Sequence, residues 1–391
     1  MARPQLLVVT PWYPNRLNGH DGNFVANTTR LVAPDYAVTV LAVIEDKQLE
    51  RGLHEVLTTQ EDGIHTIRVY FGAGTGRARR TLFRMRAWEA GIRELSGSYA
   101  LIHAHVLIDG GIVAARLAKR WGIPLVISAH ASRWFKRWPV LRMPDRHLAV
   151  RAANQANAVL PVSQALLERL KHYGIQDHLT ICSNPVDESI FFPPEVEREA
   201  TGFTFLHVSD FSPNKQVGLL LSAFAELCLT EPTSQLQVGG DGDPKTLDQL
   251  IEESLREHPL EHRALVRSRI TTFGVTDAHG IADRMRAADC FLLTSFFETQ
   301  SVVLLEAQLC GLPAISTRSG GPEGIITSTE HGQLFEVEAK DQLVAAMSSQ
   351  IHAGRPSLEQ RQSLSAIARE RYGNAAIRKQ LLDIYKFLIN A

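Results

Sequence analysis

Two acids, a lysine and the amides of a helix start are the groups in this chain best placed to do chemistry. Glu298 and Glu306 stand eight positions apart in FLLTSFFETQSVVLLEAQLCGLPAISTRSGGPE, residues 291–323. The loop through Thr299 and Ser301 leads into a helix predicted over 302–309. Its first amides, those of Val302 and Val303, lack intrahelical partners, and with the helix dipole they favour a phosphate. Glu306 lies about one turn further on, at ~1.5 Å of rise per residue. A carboxylate there can accept two hydroxyl hydrogen bonds from a sugar diol, and Glu298 can face a second sugar beyond the phosphates. Two acids around an anion site suit a nucleotide-sugar. Either acid taken singly also reads as a helix-start charge or a solvated side chain.

The elements that must hold these groups are visible around them. The apolar run 291–293 predicts a buried strand, 313–316 the next one, and Gly311 a helix C-cap between. Ser319, Gly320, Gly321 and Pro322 predict a turn that presents Glu323. Strand, loop, helix and strand place functional groups at the carboxyl edge of a parallel sheet. Glu298 and Glu306 with the following Ala307, Gly311-Leu312-Pro313 and Gly320-Gly321-Pro322-Glu323 resemble the donor-site signature of retaining GT-B glycosyltransferases of family 4.

The resemblance implies an α/β protein of GT-B architecture: two doubly wound Rossmann-like domains facing across a cleft. It implies transfer of a sugar from a UDP- or GDP-sugar to a hydroxyl, with retention, no metal and no cofactor beyond the donor. Glu306 would hold the ribose and Glu298 the transferred sugar. A strand predicted over 203–208 leads to Ser209-Asp210-Phe211-Ser212-Pro213-Asn214-Lys215. Lys215 matches the family lysine that grips the diphosphate. Asp210 stands where the family has arginine, and a carboxylate there repels phosphate. The diphosphate is then left to Lys215, the helix-start amides and a further cation such as Arg318.

In the first half, a strand over 5–10 leads through Gly19 and Gly22 to a helix over 24–31. Glycines there permit close backbone approach to a ligand, without dinucleotide-type spacing. By resemblance this loop nears the donor diphosphate and the acceptor. The strand 124–128 ends at His130, which matches a family histidine near the donor sugar or its phosphate. Asn184-Pro185-Val186-Asp187 resembles the family's N-G-V-D. The domains are expected as 1–193, joined by a terminal helix 374–391 that packs back on it, and 194–373. His103-x-His105 and Asp241-x-Asp243 bring too few ligands at metal spacing, so neither predicts a metal site.

At 391 residues, 45% hydrophobic and 21% charged, the chain has material for two substantial cores. Its net charge of −1 conceals an asymmetry: 23 Lys and Arg against 14 Asp and Glu in 1–185, but 18 against 28 in 186–391. A basic helix over 77–95 and the basic, aromatic run 132–138, continuing to Arg142 and Arg146, fit an anionic membrane surface or a lipid-linked or glycan acceptor. No nucleic-acid motif accompanies them. Four cysteines without CxxC spacing read as reduced core thiols. The run 6–9 is too short for a signal peptide and nothing approaches a membrane span, which predicts a cytoplasmic protein, peripheral at most on the inner membrane face. The expected setting is surface polysaccharide or lipid-linked glycan synthesis. The rival readings are a same-fold epimerase or phosphorylase and a sugar-binding protein without chemistry.

Overall fold

The computed structural model describes residues 3–130, 143–197 and 202–391. The basic, aromatic run 132–138 and Arg142 lie outside the described residues. The chain forms two compact units, Met1–Pro185 with Ala375–Ala391, and Val186–Asn374.

The first unit is built on seven strands: β1 (Gln5–Thr10), β2 (Ala37–Glu45), β3 (His54–Glu61), β4 (Ile64–Phe71), β5 (Tyr99–His105), β6 (Leu125–Ala129) and β7 (Ala158–Pro161). Their order is β3-β4-β2-β1-β5-β6-β7. All pairs are parallel except β3 with β4, an antiparallel hairpin at the edge. Alternate residues of β1 serve opposite faces. Leu7 and Val9 join one core with Trp88, Leu117 and Leu166. Leu6 and Val8 join another with Val25, Leu381 and Tyr385. Each buried aliphatic side chain of this kind contributes about 1.5–3 kcal/mol. The terminal helix Asn374–Asn390 buries Ile377, Leu381, Leu382 and Tyr385 in this second core.

The second unit has six parallel strands: β8 (Thr204–Val208), β9 (Gln235–Gly239), β10 (Ile270–Phe273), β11 (Cys290–Leu293), β12 (Ala314–Thr317) and β13 (Gly332–Phe335). Their order is β10-β9-β8-β11-β12-β13. Phe205 and Leu292 face one core, Leu206 and Phe291 the other. The four cysteines are buried free thiols. No helix among the described residues is long and apolar enough to cross a membrane.

The crossing between units falls at Pro185/Val186, eight residues before the expected 193/194. Val186 donates its amide to Tyr372 O at 3.0 Å, and Val186 and Phe191 are buried with the second unit's apolar residues. The segment expected to finish the first domain thus starts the second. Sequence reading also passed over β3, whose eight residues, Val56 and Leu57 among them, are almost wholly exposed.

In each sheet the strand order reverses once, between β1 and β5 and between β8 and β11. Such a switch point splays the following loops apart and leaves a crevice at the carboxyl edge. The loops after β8 and β11 carry Lys215 and Glu298.

Candidate functional site

Backbone and side-chain bonds stitch those two loops together. A one-turn 3-10 helix, Pro213–Lys215, ends at Gln216 in a left-handed conformation (φ +48°). Thr294, just past β11, donates its hydroxyl to Lys215 O at 2.7 Å. Phe296 N donates to Asn214 O at 2.8 Å, and Asn214 Nδ2 to Phe297 O at 3.1 Å. The result brings together two residues 83 positions apart: Lys215 Nζ donates to Glu298 Oε1 at 2.7 Å. Ser295 Oγ donates to the same oxygen at 2.7 Å. The side chains are only 22% and 12% exposed, so this pair is less screened than a surface one.

The loop after β12 supports Glu298 from its other side. Glu298 N donates to Ser319 O at 2.8 Å and Gly321 N to Glu298 O at 2.9 Å. A Cβ on Gly321 would lie 2.5 Å from Gln300 Cα, so only glycine lets these loops meet. Glu323 Oε2 accepts from Gly320 N at 2.8 Å. The last acid of the signature therefore shapes the turn.

Ser301 starts the helix Val302–Leu309 from a left-handed conformation, φ +72°. A non-glycine residue held there stores strain, of order 1–3 kcal/mol. Ser301 O accepts from Leu304 N and Leu305 N, so the Val302 and Val303 amides precede the first helical bonds. Ser301 is 7% exposed and its Oγ is buried without a partner among the described residues. Glu306, one turn on, is half-buried and has no hydrogen-bond partner among the described residues. Burial pushes its carboxyl up from 4.5 to about 7. Among the described residues, unpaired amides, an orphaned hydroxyl and an unpaired carboxyl share one helix start, while Lys215 and Glu298 pair with each other.

Arg318, the further cation expected for the diphosphate, pairs instead with Glu336 at 3.3 Å and is half exposed. Its backbone amide binds Phe335 O, which ties residue 318 to the end of β13. The Asp210 carboxylate accepts from Ser212 N at 3.1 Å and Ser212 Oγ at 2.8 Å, a local turn within its own loop. Asp243 caps the helix Pro244–Leu255 and takes the Lys245 amide. Among the described residues no three His, Cys, Asp or Glu side chains gather as a metal would need.

In the first unit Gly22 has φ +65° and begins the helix Asn23–Val32. A Cβ there would lie 2.4 Å from the Trp12 backbone, so the loop after β1 can fold only with glycine. Gly19 is exposed, with nothing near a Cβ built on it. His130 follows β6 and packs against Phe24, with centroids 4.5 Å apart and the rings tilted by 42°. Its Nε2 lies 3.1 Å from His105 Nδ1. Burial pushes His130 down to about 3, with Asn184 acting the other way, so the ring is neutral near pH 7. His103 is buried beside His105, between the Tyr385 hydroxyl at 2.5 Å and Ser128 Oγ at 2.8 Å. Sequence reading weighed His103 and His105 only as half a metal site and named no partner for them.

The basic helix, Arg77–Arg93, spends much of its charge internally. Arg77 pairs with Asp145, Arg80 with Glu45 and Arg84 with Asp109. Arg79 and Arg86 are exposed beside Leu82 and Met85.

Residues 190–371 match the family model described as Glycosyl transferases group 1, and residues 24–190 that of Glycosyltransferase Family 4. The chain is 30% identical over 258 residues to D-inositol 3-phosphate glycosyltransferase 2 of Catenulispora acidiphila, covering 61% of this chain and 59% of that one. It is 26% identical over 275 residues to D-inositol 3-phosphate glycosyltransferase of Rhodococcus opacus, covering 66% and 60%. The matched stretch thus spans about three-fifths of these relatives. Among solved structures, sucrose-phosphate synthase from Thermosynechococcus elongatus superposes with a TM-score of 0.76 at 20% identity, over 99% of each chain. Anabaena HepE in complex with UDP gives 0.72 at 18%, over 98% of this chain and 100% of that one. At these identities the likeness is one of fold.

Proposed function

We propose, on the premise that the chain belongs to the group 1 glycosyltransferases of GT-B fold, that it moves a sugar from a nucleoside diphosphate to a hydroxyl with retention at the anomeric carbon. The observation that carries this reading is the start of the helix Val302–Leu309. Two amides, a buried orphan hydroxyl and an unpartnered carboxyl meet there, beside a preformed Lys215–Glu298 pair.

Each group has a role that its chemistry fits. The Val302 and Val303 amides take phosphate oxygens. Glu306 accepts the two ribose hydroxyls, which repay the desolvation of its carboxylate. Lys215 neutralises the charge that grows on the diphosphate as the C1–O bond breaks, where a fixed donor is worth most. Glu298 holds Lys215 in place before the donor arrives, and takes hydroxyls of the transferred sugar once it is bound. His130 serves as a neutral hydrogen-bonding group toward a sugar hydroxyl or phosphate oxygen, with Gly19 and Gly22 letting backbone approach. The acceptor oxygen bonds C1 as the phosphate leaves on the same face, and its proton passes to the departing diphosphate. No protein nucleophile and no bound metal enters this scheme.

Uridine is the first base to try, because HepE is described in complex with UDP and with UDP-glucose. The proposed acceptor is a glycan or a lipid-linked glycan at an anionic membrane surface, for which Arg79, Arg86, Leu82 and Met85 offer cationic and apolar groups together. Transfer to acceptors presented in anionic vesicles and free in solution, with the product read by NMR, tests both parts. The expected product keeps the donor's anomeric configuration and forms faster on vesicles. An inverted product sinks retention, and equal rates sink the membrane surface.

A further inference from the structure

The imidazoles at the carboxyl ends of β5 and β6 can be satisfied in one way. The Tyr385 hydroxyl is wholly buried, and its single acceptor among the described residues is His103 Nδ1, so it donates there. His103 then carries its proton on Nε2 and donates to Ser128 Oγ. With both nitrogens committed, His103 offers nothing to His105, although their rings lie 4.2 Å apart. His105 Nε2 is left buried without a partner among the described residues. A bare lone pair in that position costs less than a stranded N–H. The His105 proton therefore sits on Nδ1 and is donated to His130 Nε2 at 3.1 Å.

We propose that His105 is a positioning residue that holds His130 as its Nδ1–H tautomer, so that His130 meets a ligand as a neutral hydrogen-bond donor. His130 Nδ1 is buried and makes no hydrogen bond of normal geometry among the described residues, although the Asn184 side chain acts on the ring as a hydrogen-bonding neighbour. That N–H, rather than a positive charge, is what the ring offers a sugar hydroxyl or phosphate oxygen. The proposal rests on the reading of His130 as a ligand-facing residue, and it deepens that reading by naming the atom and the group that sets it. Phe24 fixes the ring from its face, His105 from its edge.

The test is a long-range proton–nitrogen correlation spectrum of the whole chain labelled with 15N-histidine. The His130 signals are assigned by their loss in His130→Asn. The expected pattern is a protonated Nδ1 and a bare Nε2, mixed or reversed in His105→Phe. A protonated Nε2 on His130 in the unsubstituted chain overturns the proposal whether or not His105→Phe folds. In transfer assays, His105→Phe is expected to lower kcat about tenfold, the value of one well-placed hydrogen bond, with donor KM nearly unchanged. His130→Asn, which can place an N–H at the Nδ1 position, should retain more turnover than His130→Gln. Full turnover in His130→Ala would instead sink the ligand-facing role, whichever tautomer the spectrum shows.

Discussion

Lys215→Ala is expected to lower kcat by about 10²–10³, the usual cost of deleting one group aimed at charge that develops in the transition state. Donor affinity should fall far less, because the Val302 and Val303 amides still hold phosphate in the ground state. Glu298→Ala should give a loss of similar size by two routes. It removes an acceptor for sugar hydroxyls, and it releases Lys215 from a 2.7 Å ion pair that is mostly buried. The two residues act as a unit, so the double variant should lose much less than the product of the single losses. A binding protein without chemistry would show changes in affinity alone. Steady-state kinetics with a measured dissociation constant for the donor separate these outcomes, and full turnover in either single variant would remove these residues from the site.

The second large effect is on pH dependence. Burial raises the Glu306 carboxyl from 4.5 to about 7 in the ligand-free chain. Two ribose hydroxyls need the ionised form, so nucleotide binding should release a proton from Glu306 and tighten as pH rises from about 5 to 8. In Glu306→Gln that dependence should vanish, and binding should be weak throughout. Stability should run in the opposite sense. A carboxyl whose folded value lies above its unfolded one favours folding below about 4.5, and that contribution is lost as pH rises through 7. Without nucleotide, Glu306→Gln should therefore be more stable than the parent at pH 8 and alike at pH 4.5. Calorimetric titrations in buffers of different ionisation enthalpy count the proton, and urea unfolding at the two pH values tests the stability arm. A flat affinity profile in the parent chain would contradict the assignment of Glu306.

The donor-side layout was legible because its signals are local. An unbroken apolar run marks β11, a helix-permissive stretch follows a polar loop, and Gly311 closes it at φ +67°. The helix was read with the bounds it has, Val302–Leu309. The pairing of Lys215 with Glu298 was not legible, since it arises from two loops that meet only after β8 and β11 lie side by side. Arg318 shows the same limit in reverse: the sequence places a cation near the motif but does not show its ion pair with Glu336. The histidine network was not legible, because the partner that explains His103, Tyr385, sits on a helix 282 positions away. In β3 the two apolar residues, Val56 and Leu57, are adjacent, so no alternating pattern marks the strand. The helices Lys340–Ala353 and Leu358–Tyr372 drew no reading, being mixed in composition and buried at only a few positions each.

The most direct measurement is a thermal-shift panel of UDP, GDP, ADP and CMP at fixed salt, each with and without its sugar. A ligand at ~100 times its dissociation constant adds about 2.7 kcal/mol. For a unit the size of Val186–Asn374 that corresponds to a rise of roughly 5–10 °C. The expected result is such a rise with one nucleoside diphosphate, UDP first among them, largely abolished in Glu306→Gln. No rise with any member of the panel would contradict a donor site at the start of the helix Val302–Leu309.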